Sequence, residues 1–285
     1  MANMRAIRTR IRSIENTRQI TKSMKMVAAS KLRHVQTGRE NACAFADKSC
    51  EMLNSLLSGS TVFENPFLQE RAEINKTVYV LFVGNRGLCG MYNSSLLRYL
   101  EELVGEDTES AALVVCGRWG SEHIAASGLK VLRRFDDISD TPKDSDAAPV
   151  VEYLRQLYLD GEADRIVLVY QGFRSVLSQS PTTKQLLPVK AESSSELKGD
   201  FIFEPDRASI VAKLVDLYIQ SNIYATMVEA RAGEHASRMT AMTAASDNTS
   251  ELIAKLNLQL NHARQAAITT EISEIVGGAA ALNQQ

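Results

Sequence analysis

The two ends of this 285-residue chain restrict its fold more than any other feature, because each has the pattern of one uninterrupted helix. Residues 3–57 contain no proline, and apolar residues recur there at spacings of three and four. No proline follows Pro205-Asp206, a pair that favours a helix start. At about 1.5 Å per residue the two helices would be roughly 80 and 115 Å long. Helices of that length without internal caps are typical of coiled coils, so we predict an antiparallel coiled coil of the two termini.

The middle of the chain alternates short apolar runs with helical patterns. We predict strands at Thr77–Val83, Ala111–Cys116, Leu129–Arg133 and Arg165–Tyr170. We also predict helices at Ser94–Val104, Gly120–Ala126 and Pro149–Leu159, a surface loop at Asp136–Ala148, and edge strands or a return path at Gly172–Leu177 and Phe201–Phe203. This alternation predicts a Rossmann-like α/β domain with a parallel sheet. The predicted domains are an N-terminal coiled-coil helix in residues 1–58, a globular α/β domain in residues 74–205 and a C-terminal coiled-coil helix in residues 206–285.

Cysteine usage and charge narrow the class of protein. The four cysteines show no CxxC spacing, which indicates a reduced protein whose thiols act as small apolar side chains. No run of about 18 apolar residues occurs, so we predict no transmembrane span. Residues 1–39 carry ten Lys or Arg and one acid, Glu15, a composition also seen in transit peptides. Because no aromatic residue is interleaved with these cations, we favour a solvated face and an acidic protein partner over nucleic acid.

The stretch VYVLFVGNRGLCGMYN, residues 78–93, has the form of a strand, a glycine-bearing loop and a helix start. A nucleotide-binding α/β enzyme would use such a loop to hold phosphate. The loop sequence GNRGLCG, however, fits neither G-x-G-x-x-G nor G-x-x-x-x-G-K-[ST], and no Lys-Ser/Thr pair follows it. We therefore interpret its glycines as a tight turn with close backbone packing, and Cys89 as filling a small apolar gap.

Five segments resemble the gamma subunit of F-type ATP synthases along essentially the whole chain. They are QITKSMKMVAASKLR (19–33), RGLCG (86–90), SQSPTTKQLLP (178–188), FEPD (203–206) and ARQAAITTEISEIVGGAAAL (263–282). Because residues 19–33 belong to this pattern, the resemblance argues against a transit peptide. A coiled-coil scaffold with a generic α/β domain would explain the helices but not the two specific signatures at opposite ends.

The resemblance implies a rotor with no catalytic residues, cofactor or metal of its own. Such a subunit transmits torque between the ion-driven c-ring and the catalytic alpha/beta hexamer, and regulates ATPase activity and ion flow. The implied partners are the alpha, beta and epsilon subunits and the c-ring, with no nucleic acid and no lipid insertion. The implied location is the cytoplasmic face of the bacterial plasma membrane.

Site residues carry over from the resemblance position by position. Those that match the beta-subunit interface are Met24, Lys25, Arg238, Arg264, Gln265, Thr269 and Glu271. Those that match the contact with epsilon and the c-ring are Phe201, Phe203 and Glu204. Thr269 and Glu271 would fit an ordinary helix surface equally well. The family usually has an acid at the position of Asn85 and a glycine at that of Met91, so a contact that relies on that acid is not expected here.

Overall fold

The computed structural model describes residues 2–57, 64–71, 73–105, 107–190, 204 and 206–282. Its elements are α1 (Ala2–Leu57), β1 (Thr77–Phe82), α2 (Tyr92–Val104), β2 (Ala111–Cys116), α3 (Ser121–Ala126), β3 (Lys130–Phe135), α4 (Asp144–Leu159), β4 (Arg165–Phe173), β5 (Gln179–Leu187) and α5 (Arg207–Leu282). The chain divides into two compact units. One comprises the residues up to Val27 and those from Met239 onward, and the other comprises residues 28–238.

Both predicted terminal helices are confirmed. Helix α5 begins where expected, because the carboxylate of Asp206 accepts hydrogen bonds from the Ser209 backbone N–H at 2.8 Å and from its hydroxyl at 2.7 Å. Within residues 28–238 the two helices run antiparallel, since Lys31 and His235 both bind Asp140, whereas the Leu56 carbonyl accepts from Arg207. Between these points Ala42, Ala46 and Ala225 pack together, and their small side chains allow a close approach of the two helices.

The central sheet has the order β3-β2-β1-β4-β5, with β1 to β4 parallel and β5 antiparallel to β4. All six residues of β1 are buried, because helices cover both faces of the sheet. Val78, Val80 and Phe82 belong to a core shared with α4 and α5. Tyr79 and Leu81 belong to a second core shared with α2 and α3. The result is a Rossmann-like three-layer domain, as the sequence predicts.

Helix α4 begins at Asp144, so the prediction of a loop through Ala148 was wrong for its last five residues. Two acids in the first turn supply the start signal, since the Asp146 carboxylate accepts from the Lys143 backbone N–H at 2.9 Å. The helix continues past Pro149, although this residue has no N–H to donate to the preceding turn.

The antiparallel edge strand is β5, and of the two alternatives predicted for Gly172–Leu177 the return path is the one observed. Strand β4 continues through Phe173, and residues 174–178 form the turn into β5, with the Arg174 N–H donating to the Ser178 carbonyl at 3.2 Å. Pro181 is tolerated in β5 because an edge strand leaves one row of N–H groups unpaired. The predicted strand at Phe201–Phe203 lies outside the described residues.

Two further features are the state of the cysteines and the apolarity of the helices. Cys43, Cys89 and Cys116 are free thiols, and burial raises the pKa of Cys116 to about 12. None of the helices in the described parts of the chain is long and apolar enough to cross a membrane.

Candidate functional site

The carboxyl edge of the parallel sheet is where a ligand site is expected in a fold of this kind. Strand β1 lies between β2 and β4. The chain passes from β1 to β2 on one side and returns from β3 to β4 on the other side of β1, so the order of the strands reverses at β1. In open α/β sheets, ligands bind in the crevice that forms at this switch point, beyond the carboxyl ends of the strands. The glycine-bearing loop, residues 84–91, follows β1 at this crevice.

The loop is a tight connection from β1 to α2. The Gly84 N–H donates to the Asn93 side-chain oxygen at 2.9 Å, and the Gly84 carbonyl accepts from the Trp119 N–H at 2.9 Å. Leu88 and Gly90 both have positive φ, 59° and 60°, where glycine is the residue without a steric cost. Cys89 is buried in the core beneath α2. The interpretation of the loop as a tight turn with Cys89 in an apolar gap is therefore confirmed.

Helix α5 fills the crevice. A Cβ atom on Gly84 would lie 3.1 Å from Cδ of Glu234, so a side chain at residue 84 would crowd the helix against the loop. Gly233, which precedes Glu234 in α5, lies close to the Tyr92 ring of α2 and to Gln171 of β4. The Tyr92 hydroxyl donates to the Ala230 carbonyl at 2.9 Å. The space in which a Rossmann protein holds its ligand is occupied by the chain itself.

Three buried charges lie at this junction. Glu234 is 1% exposed, and its two carboxylate oxygens accept from Arg231 at 2.6 Å and from Arg238 at 2.5 Å. Burial alone would raise the pKa of Glu234, but the charges and hydrogen bonds of the two arginines outweigh it and lower the pKa. Glu234 is therefore a carboxylate, and the two guanidinium groups are already paired within the chain.

The chemistry of this junction is that of a packing contact. Both arginines also donate to the loop, Arg231 to the Val83 carbonyl and Arg238 to the carbonyls of Arg86 and Gly87. Within the part of the chain that the structure describes, no group of three or more His, Cys, Asp or Glu side chains could hold a metal ion. The arrangement binds and orients a helix.

The residues predicted to face the beta subunit fall in different environments. Met24 and Lys25 are half-buried on α1, whereas Arg264, Gln265, Thr269 and Glu271 are exposed on α5. The Thr269 hydroxyl donates to the Gln265 carbonyl at 2.9 Å, as on an ordinary helix surface. These four side chains lie within about two turns of one helix, so the structure presents them together.

Arg238 differs from this group, because it is 9% exposed and belongs to the buried cluster. At the predicted epsilon and c-ring contact, Glu204 is exposed, and Phe201 and Phe203 lie outside the described residues.

Sequence reasoning missed a second set of surface residues near the predicted beta contacts. Large apolar side chains are exposed on α5 at Ile268, Ile272, Ile275 and Val276, and on α1 at Ile20, Met26 and Val27. Of these residues, only Ile275 belongs to the apolar stripe from which the coiled coil was predicted. Apolar residues that lie outside the stripe of a long helix would have been the signal for a surface that binds another subunit.

The fold and the junction define a class: a Rossmann-like domain whose ligand crevice holds one of two long paired helices. The sequence profile of the ATP synthase family matches residues 3–282. The ATP synthase gamma chain of Desulfitobacterium hafniense is 41% identical over 282 residues, which is 99% of this chain and 100% of that one. The gamma chain of Chlorobaculum parvum is 39% identical over 292 residues and covers both chains completely. The chain belongs to the gamma-chain family of the F-type ATP synthases.

Solved structures agree on the fold. A chain in the rotor of the Euglena gracilis mitochondrial ATP synthase superposes with a TM-score of 0.70 at 18% identity, covering 94% of this chain and 99% of that one. A chain in the central stalk and c-ring structure of the Tetrahymena thermophila mitochondrial ATP synthase superposes with a TM-score of 0.60 at 25% identity. That match covers 80% of this chain and 99% of the other.

Proposed function

We propose that this chain is the central-stalk rotor subunit of an F-type ATP synthase. It transmits torque between an ion-driven c-ring and the catalytic alpha/beta hexamer, and it regulates ATPase activity and ion flow through that coupling. The observation that carries the proposal is the α5 helix seated in the crevice of the α/β domain. A domain fixed to a long helix in this way is built to move with it. The full-length identity to gamma chains, near 40%, supports the same role.

The chain does not catalyse the reaction of its complex, which takes place on beta. The filled crevice supports this, since a nucleotide would have to displace α5 and break the bonds of Arg231 to Asn85 and of Arg238 to Arg86. Titration of the isolated full-length chain with Mg-ATP in a calorimeter tests this point. We expect no saturable heat, and saturable binding would overturn the non-catalytic assignment.

The beta contact comprises Met24 and Lys25 on α1, and Arg264, Gln265, Thr269 and Glu271 on α5. An arginine can bind a carboxylate through two parallel hydrogen bonds, so Arg264 suits a contact that must be firm in one orientation and absent in others. The exposed apolar residues near it, Ile268 and Ile272, suit an apolar sleeve around the helix. Arg238 also matches the beta interface in sequence, but it would have to leave the buried Glu234 in order to contact beta.

At the other end, Glu204 with Phe201 and Phe203 contacts epsilon and the polar loops of the c-ring. The complex places the chain at the cytoplasmic face of the bacterial plasma membrane as a peripheral protein. Neither assignment affects the test of the rotor function.

Purification through an affinity tag on this chain, from membranes of the source cells, tests the rotor function. We expect alpha, beta, epsilon and c subunits to copurify, together with ATP-driven ion pumping after reconstitution into vesicles. Membranes that lack this chain serve as the control and should not pump. Failure of the alpha and beta subunits to copurify, or unchanged pumping without the chain, would overturn the proposal.

A further inference from the structure

The face of α5 that lies in the crevice carries charged side chains that are unusually deeply buried. Arg231, Glu234, His235 and Arg238 follow the spacing i, i+3, i+4 and i+7, so they lie on one face of the helix. Each is at most 9% exposed. Charged side chains are seldom buried to this extent, and a buried ion pair stabilises a fold no better than apolar residues of the same volume. The network is therefore better explained by the geometry that it imposes than by stability.

Its hydrogen bonds have defined directions. Arg231 donates to the Asn85 side-chain oxygen at 2.9 Å, and Arg238 donates to the Arg86 carbonyl at 3.2 Å. Between these two residues, Glu234 touches Gly84. A rotation of α5 about its own axis by one residue position, about 100°, would break the bonds to Asn85 and Arg86 together, whereas the ion pairs of Glu234 lie within α5 and would turn with it.

A second set of bonds continues the network to the loop after β3 and to α1. Asn85 donates to the Ile138 carbonyl at 2.8 Å, and a nitrogen of His235 lies 3.1 Å from the Asp140 carbonyl. The Asp140 carboxylate forms an ion pair with Lys31 of α1. Both long helices are thus tied, through directed bonds, to the two loops at the carboxyl edge of the sheet.

Directed bonds outside this network also join α5 to the domain, since the Phe173 N–H donates to Glu229 at 2.9 Å and Gln220 donates to Asp144 at 2.8 Å, but much of the remaining contact is apolar. The sheet face that carries Val80 and Leu168 meets α5 through Val215, Ile219 and Ile223, all of them apolar. Apolar contacts are non-directional, so small rotations cost little while the buried area is kept. Resistance to rotation therefore depends on the directed polar bonds, and this network contributes several of them.

We propose that the network of Arg231, Glu234, His235 and Arg238 with Asn85 and Asp140 is a torsional lock, which holds α5 at one rotational setting on the α/β domain while torque passes between them. This inference rests on the proposed rotor function. Its residues are positioning residues that contact neither nucleotide nor the transported ion.

The decisive variant replaces the three charges with apolar side chains of similar volume, Arg231→Met, Glu234→Leu and Arg238→Met. Such replacements of buried ion pairs commonly keep or raise stability. Lys213→Met is the matched control, since Lys213 is an exposed cation on the same helix. Each complex is assembled with the hexamer fixed to a surface and a rod attached to the α/β domain. The angular fluctuation of the rod is then recorded while hydrolysis is paused.

For the triple variant we expect the angular variance to rise roughly twofold, because the hydrogen bonds of Arg231 and Arg238 to the loop no longer oppose the rotation. Its midpoint of urea unfolding should equal that of Lys213→Met. Variance equal to the control would overturn the lock. If the triple variant does not assemble, the half-buried Asn85→Leu removes the bonds to Arg231 and Ile138 and decides by the same measurement. A wild-type complex that does not rotate would contradict the rotor function instead, so the two failures are distinguishable.

Discussion

Gly84 is the residue on which the seating of α5 depends most directly. A methyl group there would lie 3.1 Å from Cδ of Glu234 and 3.3 Å from the side-chain oxygen of Asn93. Neither neighbour can withdraw freely, because Glu234 is held by two arginines and Asn93 by the Gly84 N–H. By contrast, a Cβ atom added to Gly87 would have no other atom within 4 Å.

Gly84→Ala should therefore lower the free energy of unfolding by about 1–3 kcal/mol, since the added methyl group overpacks the junction. Gly87→Ala is the matched control and should change it by less than about 0.5 kcal/mol. Urea unfolding of the full-length chain measures both. Equal effects of the two substitutions would contradict the close fit at Gly84.

His235 makes stability depend on pH. Burial lowers its pKa below the ordinary value near 6.5 and outweighs the opposing effects of the Asp140 carbonyl and the Glu234 charge. The unfolded chain then binds a proton at a higher pH than the folded chain. The stability that this pKa difference contributes is therefore present above the ordinary histidine pKa, and it is lost as the pH falls from that value towards the lowered pKa of the folded chain. Among the groups that face His235, Glu234 and Asp140 have lowered pKa values and stay charged in this range.

His235→Gln should flatten the fall in unfolding free energy between about pH 7 and 5. His123→Gln, at an exposed histidine stacked on Trp119, should leave that fall as it is in the wild type. Urea unfolding at several pH values makes the comparison. An identical pH dependence of wild type and His235→Gln would show that another group is responsible.

Among the elements, α4 shows how burial and not sequence neighbourhood sets the energetic role of a side chain. Leu154 is fully buried against the sheet, and Leu159, at the end of the same helix, is 53% exposed. Leu154→Ala should cost about 2–5 kcal/mol of unfolding free energy through lost burial and a cavity. Leu159→Ala should cost less than about 1 kcal/mol, and similar losses in urea unfolding would contradict the packing of α4.

The elements that the sequence predicted well are those whose pattern reflects burial on both faces. Strand β2 was predicted with its observed bounds, because Ala111–Cys116 is an unbroken apolar run. Strand β5 was missed because its outer positions are polar and it contains Pro181, features that only its place at the sheet edge explains. The start of α4 was missed because aspartates serve both loops and helix starts.

At the scale of the whole molecule, the property to measure is the coupling between ion flow and ATP synthesis or hydrolysis. Arg264→Ala combined with Gln265→Ala should weaken ATP synthesis and ATP-driven ion pumping while the chain stays folded, because both side chains are exposed on α5. Lys255→Ala, an exposed cation on the same helix, is the control and should pump normally. Unchanged synthesis and pumping in the double variant would remove these residues from the beta contact.

Removal of residues 277–285 should leave the stability of the α/β domain intact. Gly277 and the residues just before it are exposed, and nothing lies within 4 Å of a Cβ at Gly277. Trp119, the single tryptophan, reports on the α/β domain by its fluorescence during heating. We expect the midpoint to stay within about 2 °C, and a larger fall would show that the tail packs on that domain.

The sequence by itself determined the long terminal helices, the α/β alternation and the membership of the gamma-chain family, because these depend on local periodicity and on contiguous signatures. Only the tertiary structure decided that α5 fills the crevice after β1 and that Arg238 is bound inside the chain. Gly84 and Glu234 are 150 positions apart, and the contact between them arises only when the sheet and the helix pack. Glycine next to β1 is equally compatible with a phosphate and with a helix, so the occupant of that space is a property of the folded molecule.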